Sequence, residues 1–496
     1  MAIGNIIKSL RDIMRNDEGI NGDAQRIEQI VWILFLKVYD AQEEYWEFYD
    51  KNYKSIIPEN LRWRNWAIDN KDGKAMTGDE LESFINNDLF PSLKKLEIDE
   101  NTPRKQSIVK YVFEDLNNYM KDGILLRQVI NKINEELDFT DTNEKHAFNE
   151  IYETMLKELQ SAGSAGEFYT PRPVTNFMVE MVKPTLDDKI ADFACGTGGF
   201  LTSTLDYIEK FIKTPADKEK YNKSIYGIEK KSLPYLLCIT NMLLHNIEEP
   251  NIDHANSLSK NIRDYKEDEK FDVILMNPPY GGSEKKDIQA NFPIDLRDSE
   301  TADLFIDLIM YRLKDNGSCA VILPDGFLFG TDNTKVNIKK KLTSEFNLHT
   351  IIRMPSSVFA PYTSITTNIL FFNKEKKTEN IWFYRMDMPE GYKNFSKTKP
   401  IKNEHFDVVK EWWNNRKEII DEKDNEESAT TYKSKRYSIE EIIKNNYNLD
   451  LCGYPHEEEI ILEPQELIKQ YQEKRKKLNE EIDKTLEEVS KLLEEE

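Results

Sequence analysis

Between residue 174 and about residue 375, apolar runs of strand length alternate with helical patterns, and this restricts the fold of the 496-residue chain more tightly than any other property. The runs at 189–194, 224–228, 271–276, 318–323, 348–353 and 366–372 read as strands. Helical periodicity falls at 173–183, 199–213, 232–246 and 302–315. Strands alternating with helices predict a largely parallel sheet covered by helices on both faces. Only about a dozen residues join 353 to 366, with Pro355 and Pro361 opposing a crossover helix, so this last pair is expected to be antiparallel.

Val273 to Met276 is a continuous apolar run, as in a strand covered on both faces. Pro278 and Pro279 stop it, because neither has an N–H for a ladder. Asn277 then stands at the carboxyl edge of the sheet, where ligands of α/β folds bind. Its amide oxygen and the Pro278 carbonyl are acceptors, and Tyr280 is a flat ring. The set suits an exocyclic amino group on a planar heterocycle.

A second stretch follows the first strand: Asp192, Phe193, Ala194, Cys195, Gly196, Thr197, Gly198, Gly199 and Phe200. The glycines allow a tight turn and a close ligand approach. Glu229 ends the next strand, where a ribose-binding acid belongs. Two nucleoside ligands fit this pattern. A pyrophosphate cofactor wants a helix N-terminus free of negative charge. Asp192 at the loop entrance instead suits the cationic methionine moiety of S-adenosylmethionine, the better fit. Asn277 and the Pro278 carbonyl could then each accept an N6–H of adenine and aim its lone pair at a sulfonium methyl. Tyr280 would stack on a flipped-out base. Cytosine C5 chemistry needs a nucleophilic thiol, and the chain has no Pro-Cys dipeptide.

Residues 1–155 read as a helical domain. Asp23 is a candidate N-cap for an apolar helix through Tyr39, with further helical patterns near 79–87, 105–121 and 144–160. Trp32, Trp46, Trp63 and Trp66 read as core anchors. The small residues and prolines of 161–173 mark a loop into the catalytic unit at 156–375, with Thr170 able to cap the helix near Pro171. Residues 376–457 are mixed, and Asp421 to Ser428 reads as a solvated charged loop. In 458–496 the positions Ile468, Tyr471, Arg475, Leu478, Ile482, Thr485, Val489 and Leu492 form a coiled-coil-like seam. Folding back on its own chain and pairing with another chain both fit that stripe.

Composition removes several function classes. Six histidines and four scattered cysteines (Cys195, Cys238, Cys319, Cys452) show no ligand spacing, so no metal site is expected and the thiols suit a reducing cytoplasm. No apolar run reaches membrane-spanning length, and the amphipathic N-terminus lacks a signal-peptide pattern. With a net charge of −22, a chain that works on DNA either concentrates its basic residues locally or takes much of its grip from a partner.

With these motifs in hand, the chain resembles the amino-group DNA methyltransferases, and within them the modification subunits of type I restriction-modification systems. The resemblance rests on Gly166–Val174, Asp192–Leu201, Asn277–Gly282, Leu323–Gly326 and Pro361–Ser364. It implies a Rossmann-like S-adenosylmethionine-dependent sheet and an N6-adenine product. Asn277, Pro278, Pro279 and Tyr280 would be catalytic. Glu167, Phe168, Tyr169, Thr170 and Pro171 would hold the cofactor, together with Asp192, Ala194, Gly196, Thr197, Gly198, Gly199 and Glu229. Asn256 stands where many relatives have an aspartate for the cofactor's adenine, and Phe193 where a proline is more usual. The implied partners are double-stranded DNA, a specificity subunit, a second modification subunit and a restriction subunit, with 458–496 packing on the specificity subunit. A stand-alone DNA methyltransferase, a protein-glutamine methyltransferase, a ribosomal RNA methyltransferase and a non-catalytic scaffold are the competing readings.

Overall fold

A computed structural model of the chain describes residues 4–69, 74–137, 169–421 and 431–453, with isolated positions between 468 and 483. The chain divides into two compact units, Met1–Gly453 and Tyr454–Glu496. In the second, the described positions, which include Ile468, Tyr471, Arg475 and Ile482, are helical. Leu478, Thr485, Val489 and Leu492 of the expected seam lie outside the described residues, as do Glu167, Phe168 and the helical pattern at 144–160.

The first unit is built on one ten-stranded sheet. Its strands are β1 (Ile190–Asp192), β2 (Ile225–Glu229), β3 (Ile252–His254), β4 (Phe271–Met276) and β5 (Leu313–Pro324), then β6 (Asn347–Arg353), β7 (Thr367–Asn373), β8 (Asn380–Arg385), β9 (Ile419–Ile420) and β10 (Tyr432–Ser438). The spatial order is β3-β2-β1-β4-β5-β7-β6-β8-β10-β9. β3 through β5 in this order are parallel. β7 runs antiparallel between β5 and β6, so the expected reversal is present. The apolar pattern marks neither β3 nor β8, β9 and β10. β8 pairs parallel with β6, so the limit placed at residue 375 falls between two strands of one sheet.

The apolar runs are continuous because the sheet is covered twice. Val273, Leu275, Ile369 and Phe371 enter one core, while Ile274, Met276, Leu370 and Phe372 enter the other. This is the period-two alternation of a strand with two buried faces. Helices Arg172–Val182, Gly199–Glu209 and Ser232–Leu244 supply Phe177, Leu205 and Leu236 to the first core, and helix Thr301–Arg312 supplies Leu304 and Leu308 to the second.

The N-terminal helices join the first core. Helix Asp23–Tyr49 buries Trp32 completely, and Trp46, Trp63 and Trp66 are also buried, as core anchors should be. Asp23 is not the cap of this helix. Gly22 occupies the N-cap, and the Asp23 carboxylate pairs with Arg11 and Arg26 at 2.9 and 2.8 Å. The acid still sits in the first turn, where the helix dipole favours it. At the sheet edge, Arg104 donates to the carbonyls of Pro250 and Ile252 at 2.9 and 2.7 Å, and Trp46 Nε1 donates to Glu248 at 3.2 Å. β3 is thereby braced from outside. Among the described residues no helix is long and apolar enough to cross a membrane.

Candidate active site

The glycine-rich turn is shaped by conformations that only glycine adopts without strain. Gly196 and Gly198 have φ of 54° and 83°. A Cβ on Gly198 would lie 3.0 Å from Cys238 Sγ and 3.2 Å from Met242 Cε. The turn is closed by Gly198 N–H donating to the Cys195 carbonyl at 2.8 Å, and is tied to β2 by Cys195 N–H donating to the Ile228 carbonyl at 3.0 Å. Asn241 donates its side-chain amide to the Thr197 carbonyl at 3.1 Å. Thr197 and Gly198 thus build the turn from behind.

Around this turn lies a cavity of about 320 Å³ at the carboxyl ends of β1, β2 and β4. Asp192, Ala194, Gly196, Gly199, Glu229 and Asn256 line it, together with Thr170, Asn277 and Pro279. Phe193 also lines it, with the Arg312 guanidinium 4.7 Å from its ring centre on a packed aromatic cluster. Glu229 accepts from the N–H groups of Gly196 and Lys231 at 2.9 and 2.7 Å. Asp192 accepts from Ala194 N–H at 3.0 Å. Burial pushes the Asp192 carboxyl up to about 8; the Ala194 N–H opposes the rise and Glu229 adds to it. Burial raises the Glu229 carboxyl as well, against the pull of its backbone donors. Two buried acids therefore face a cavity with unspent affinity for a cation and for hydroxyl donors. Asn256 Oδ1 accepts from Leu258 N–H at 3.1 Å, which orients its amide at the cavity wall.

A second, tight cavity of about 30 Å³ adjoins the first, lined by Tyr169, Asn277, Pro278, Pro279, Tyr280, Phe359 and Tyr362. Asn277 and Pro279 are common to both cavities. The Asn277 side chain donates Nδ2 to Thr170 Oγ1 at 3.2 Å, while its Oδ1 is buried and makes no hydrogen bond. Thr170 is therefore not a helix cap. The N-cap of helix Arg172–Val182 is Pro171, which has no side-chain bond to give, and Thr170 orients Asn277 instead. Pro171 lines neither cavity, and Tyr169 lines only the smaller one. Phe359 and Tyr362 were missed as site residues, although an aromatic pair after a strand ending at the same sheet edge was a readable signal. Among the described residues no group of His, Cys, Asp and Glu could hold a metal ion, and all four cysteines are free and buried.

Residues 143–461 match the N-6 DNA Methylase family, and residues 3–133 match the HsdM N-terminal domain. The chain is 50% identical over 463 residues to the type I restriction enzyme EcoEI methylase subunit of Escherichia coli, covering 93% of this chain and 92% of that protein. A crystal structure of a modification subunit of a putative type I restriction enzyme from Vibrio vulnificus YJ016 superposes with a TM-score of 0.76 at 42% identity, over 91% of this chain and 96% of that one. A chain solved in work on complex assembly and conformational transition of the type I R-M system gives 0.79 at 35% identity, over 100% and 98%. Family match, a relative 50% identical over nearly its whole length and a shared fold agree: the chain belongs to the N6-adenine DNA methyltransferases, as a methylase subunit of the type I restriction-modification kind.

Proposed function

We propose that the large cavity holds S-adenosylmethionine, that the small one receives an adenine turned out of duplex DNA, and that Asn277 joins the two. The observation that carries this reading is the unbonded Asn277 Oδ1 at the cavity junction. A buried acceptor left unpaired costs about 1–3 kcal/mol, so its retention fits a donor that arrives with the substrate. When bound, the cofactor supplies an electrophilic methyl group on a sulfonium centre. Asp192 suits the cationic methionine end, and Glu229 the ribose hydroxyls. Asn256 Oδ1 keeps a lone pair for the cofactor's amino group. Glu167 and Phe168 are proposed as further cofactor contacts.

At the target, Asn277 Oδ1 and the Pro278 carbonyl would each accept one N6–H. These bonds draw the nitrogen lone pair out of ring conjugation and stabilise the positive charge that develops on transfer. No strong base is needed, because the methylated nitrogen becomes acidic and sheds its proton to water. Tyr280, Tyr362 and Phe359 offer ring faces to the base. Phe359 and Tyr362 of the Met354–Thr366 segment wall the small cavity, so the base would enter against that segment.

Sequence choice is assigned to a separate specificity subunit, with a second methylase subunit and a restriction subunit completing the assembly in the cytoplasm. The test is transfer of labelled methyl from S-adenosylmethionine to DNA by the assembled complex. Label in N6-methyladenine supports the reading, whereas label only in protein, or in no acceptor, overturns it.

A further inference from the structure

A single buried guanidinium ties the end of the first unit to the wall of the small cavity. Arg353, the last residue of β6, is only 1% exposed. Its Nη2 donates to Asp325 Oδ1 at 3.0 Å and to Asp450 Oδ1 at 2.6 Å, its Nη1 to the Gly453 carbonyl at 2.8 Å, and its Nε to Asn368 Oδ1 at 3.2 Å. Asn368 in turn donates to Asp325 Oδ1 at 2.6 Å. Three remote segments converge on one side chain: the start of helix Asp325–Phe329 after β5, the start of β7, and the 445–453 stretch.

That last stretch is embedded. Leu449 N–H donates to the Leu328 carbonyl at 3.0 Å, and Leu449 and Cys452 are buried in the second core. Arg353 also opens the Met354–Thr366 segment that carries Phe359 and Tyr362. Both ends of this segment are held beside the guanidinium, Met354 N–H donating to the Thr367 carbonyl at 2.9 Å and Asp325 N–H to the Thr366 carbonyl at 3.4 Å. One carboxylate would balance the guanidinium charge. The second, from Asp450, shares Nη2 with Asp325, while Nη1 is held by the Gly453 carbonyl and Nε by Asn368, so the planar guanidinium cannot turn without breaking one of these bonds.

We propose that Arg353 is a positioning residue for the target base, held in register by Asp450 and Gly453, so that a pull on the chain leaving at Gly453 is transmitted to Phe359 and Tyr362. The inference rests on the small cavity being the base site. Cofactor binding, on β1 and β2, stands outside the linkage.

The test uses the full chain assembled with its DNA-recognition partner, comparing wild type with Asp450→Asn and Arg353→Lys. Asp450→Asn keeps the shape and removes the charge-assisted bond. Cofactor affinity should stay at its wild-type value and the melting temperature should fall with the lost charge-assisted bond without abolishing folding, while kcat for DNA methylation falls about 10- to 100-fold. The fluorescence rise of 2-aminopurine at the target position should shrink with it. Arg353→Lys should not restore turnover, since an ammonium cannot make the fork. Wild-type turnover in Asp450→Asn would overturn the proposal, as would parallel loss of cofactor affinity, which marks a general structural lesion. If the wild-type complex methylates DNA with no 2-aminopurine response, the base-site reading itself falls and the inference with it.

Discussion

Asn277 is held by one half of its amide and presented by the other. Thr170 fixes the nitrogen at 3.2 Å, and the oxygen is left bare in a buried place. The acceptor proposed to act on the target amine is thus a local cost to stability. Asn277→Ala is expected to leave folding unharmed and cofactor affinity unchanged, and to reduce methyl transfer about 10²–10³-fold, the usual loss for a donor or acceptor aimed at developing charge. Thermal melting, cofactor titration and a labelled-methyl assay separate the three effects. Asp192 makes the opposite kind of statement, because its carboxyl is pushed up to about 8 by burial and is largely protonated at neutral pH. A cationic ligand beside it would draw that proton off. Cofactor affinity should then rise with pH and level off above about 8, falling below that by at most about tenfold per pH unit, since one proton is released. The sign for folding is reversed. A carboxyl raised above its ordinary 3.8 favours the cofactor-free fold most at low pH, and that contribution fades as pH climbs through 8. Calorimetry in buffers of different ionisation enthalpy counts the proton, and Asp192→Asn should abolish its release. A pH-independent affinity in wild type would remove Asp192 from the proposed site.

At the scale of elements, the glycine turn is the most exacting piece. Gly198→Ala would place a Cβ in the left-handed region, at about 1–2 kcal/mol, and against Cys238 and Met242 as well. The expected outcome is a lower melting temperature with cofactor affinity reduced more than activity at saturation, read from a titration and a full rate curve. Thr170→Val should do the converse, keeping cofactor binding while lowering kcat, because Asn277 loses the partner that sets its amide. These two elements differ in how far they could be read beforehand. The turn and the Asn277–Tyr280 motif are contiguous, and their chemistry is written in adjacent residues. The bond from Thr170 to Asn277 spans 107 residues and depends on tertiary packing, so local capping rules assigned Thr170 to the wrong partner. The strands divide in the same way. β4 and β7 are apolar on both faces and declared themselves, whereas β3 has only three residues, Ile252, Asp253 and His254, and relies on β2 and Arg104 for its place. β10 reads Tyr-Lys-Ser-Lys-Arg-Tyr-Ser, a polar strand near the sheet edge that no hydrophobic pattern could reveal.

For the whole molecule, the tension is between −22 elementary charges and the proposed duplex substrate. Phosphate contacts supply most of the non-specific affinity for DNA and require a concentration of Lys and Arg facing the backbone. Several of this protein's cations are already committed to internal pairs: the buried Arg353 and Arg385 hold partly buried aspartates, Lys335 bridges Glu300 and Asp303, and Arg104 braces β3. At physiological salt the Debye length is about 8 Å, so a local basic rim could still act at contact distance while the acidic remainder repels only weakly. Catalysis on a delivered adenine is therefore compatible with the charge, and a partner is the expected source of the main grip on a duplex. The isolated chain is expected to bind cofactor normally and to bind DNA with a Kd weaker than about 10⁻⁶ M, without sequence preference. Adding the proposed specificity subunit should bring both affinity and selectivity, and removing 458–496 should cancel that gain while sparing cofactor binding. Fluorescence anisotropy over a salt series, on specific and scrambled duplexes, makes the comparison. Sequence-selective binding by the isolated chain would place the reading residues in this molecule after all and make it a stand-alone enzyme. Selective binding that survives loss of 458–496 would instead move the assembly surface elsewhere on the first unit.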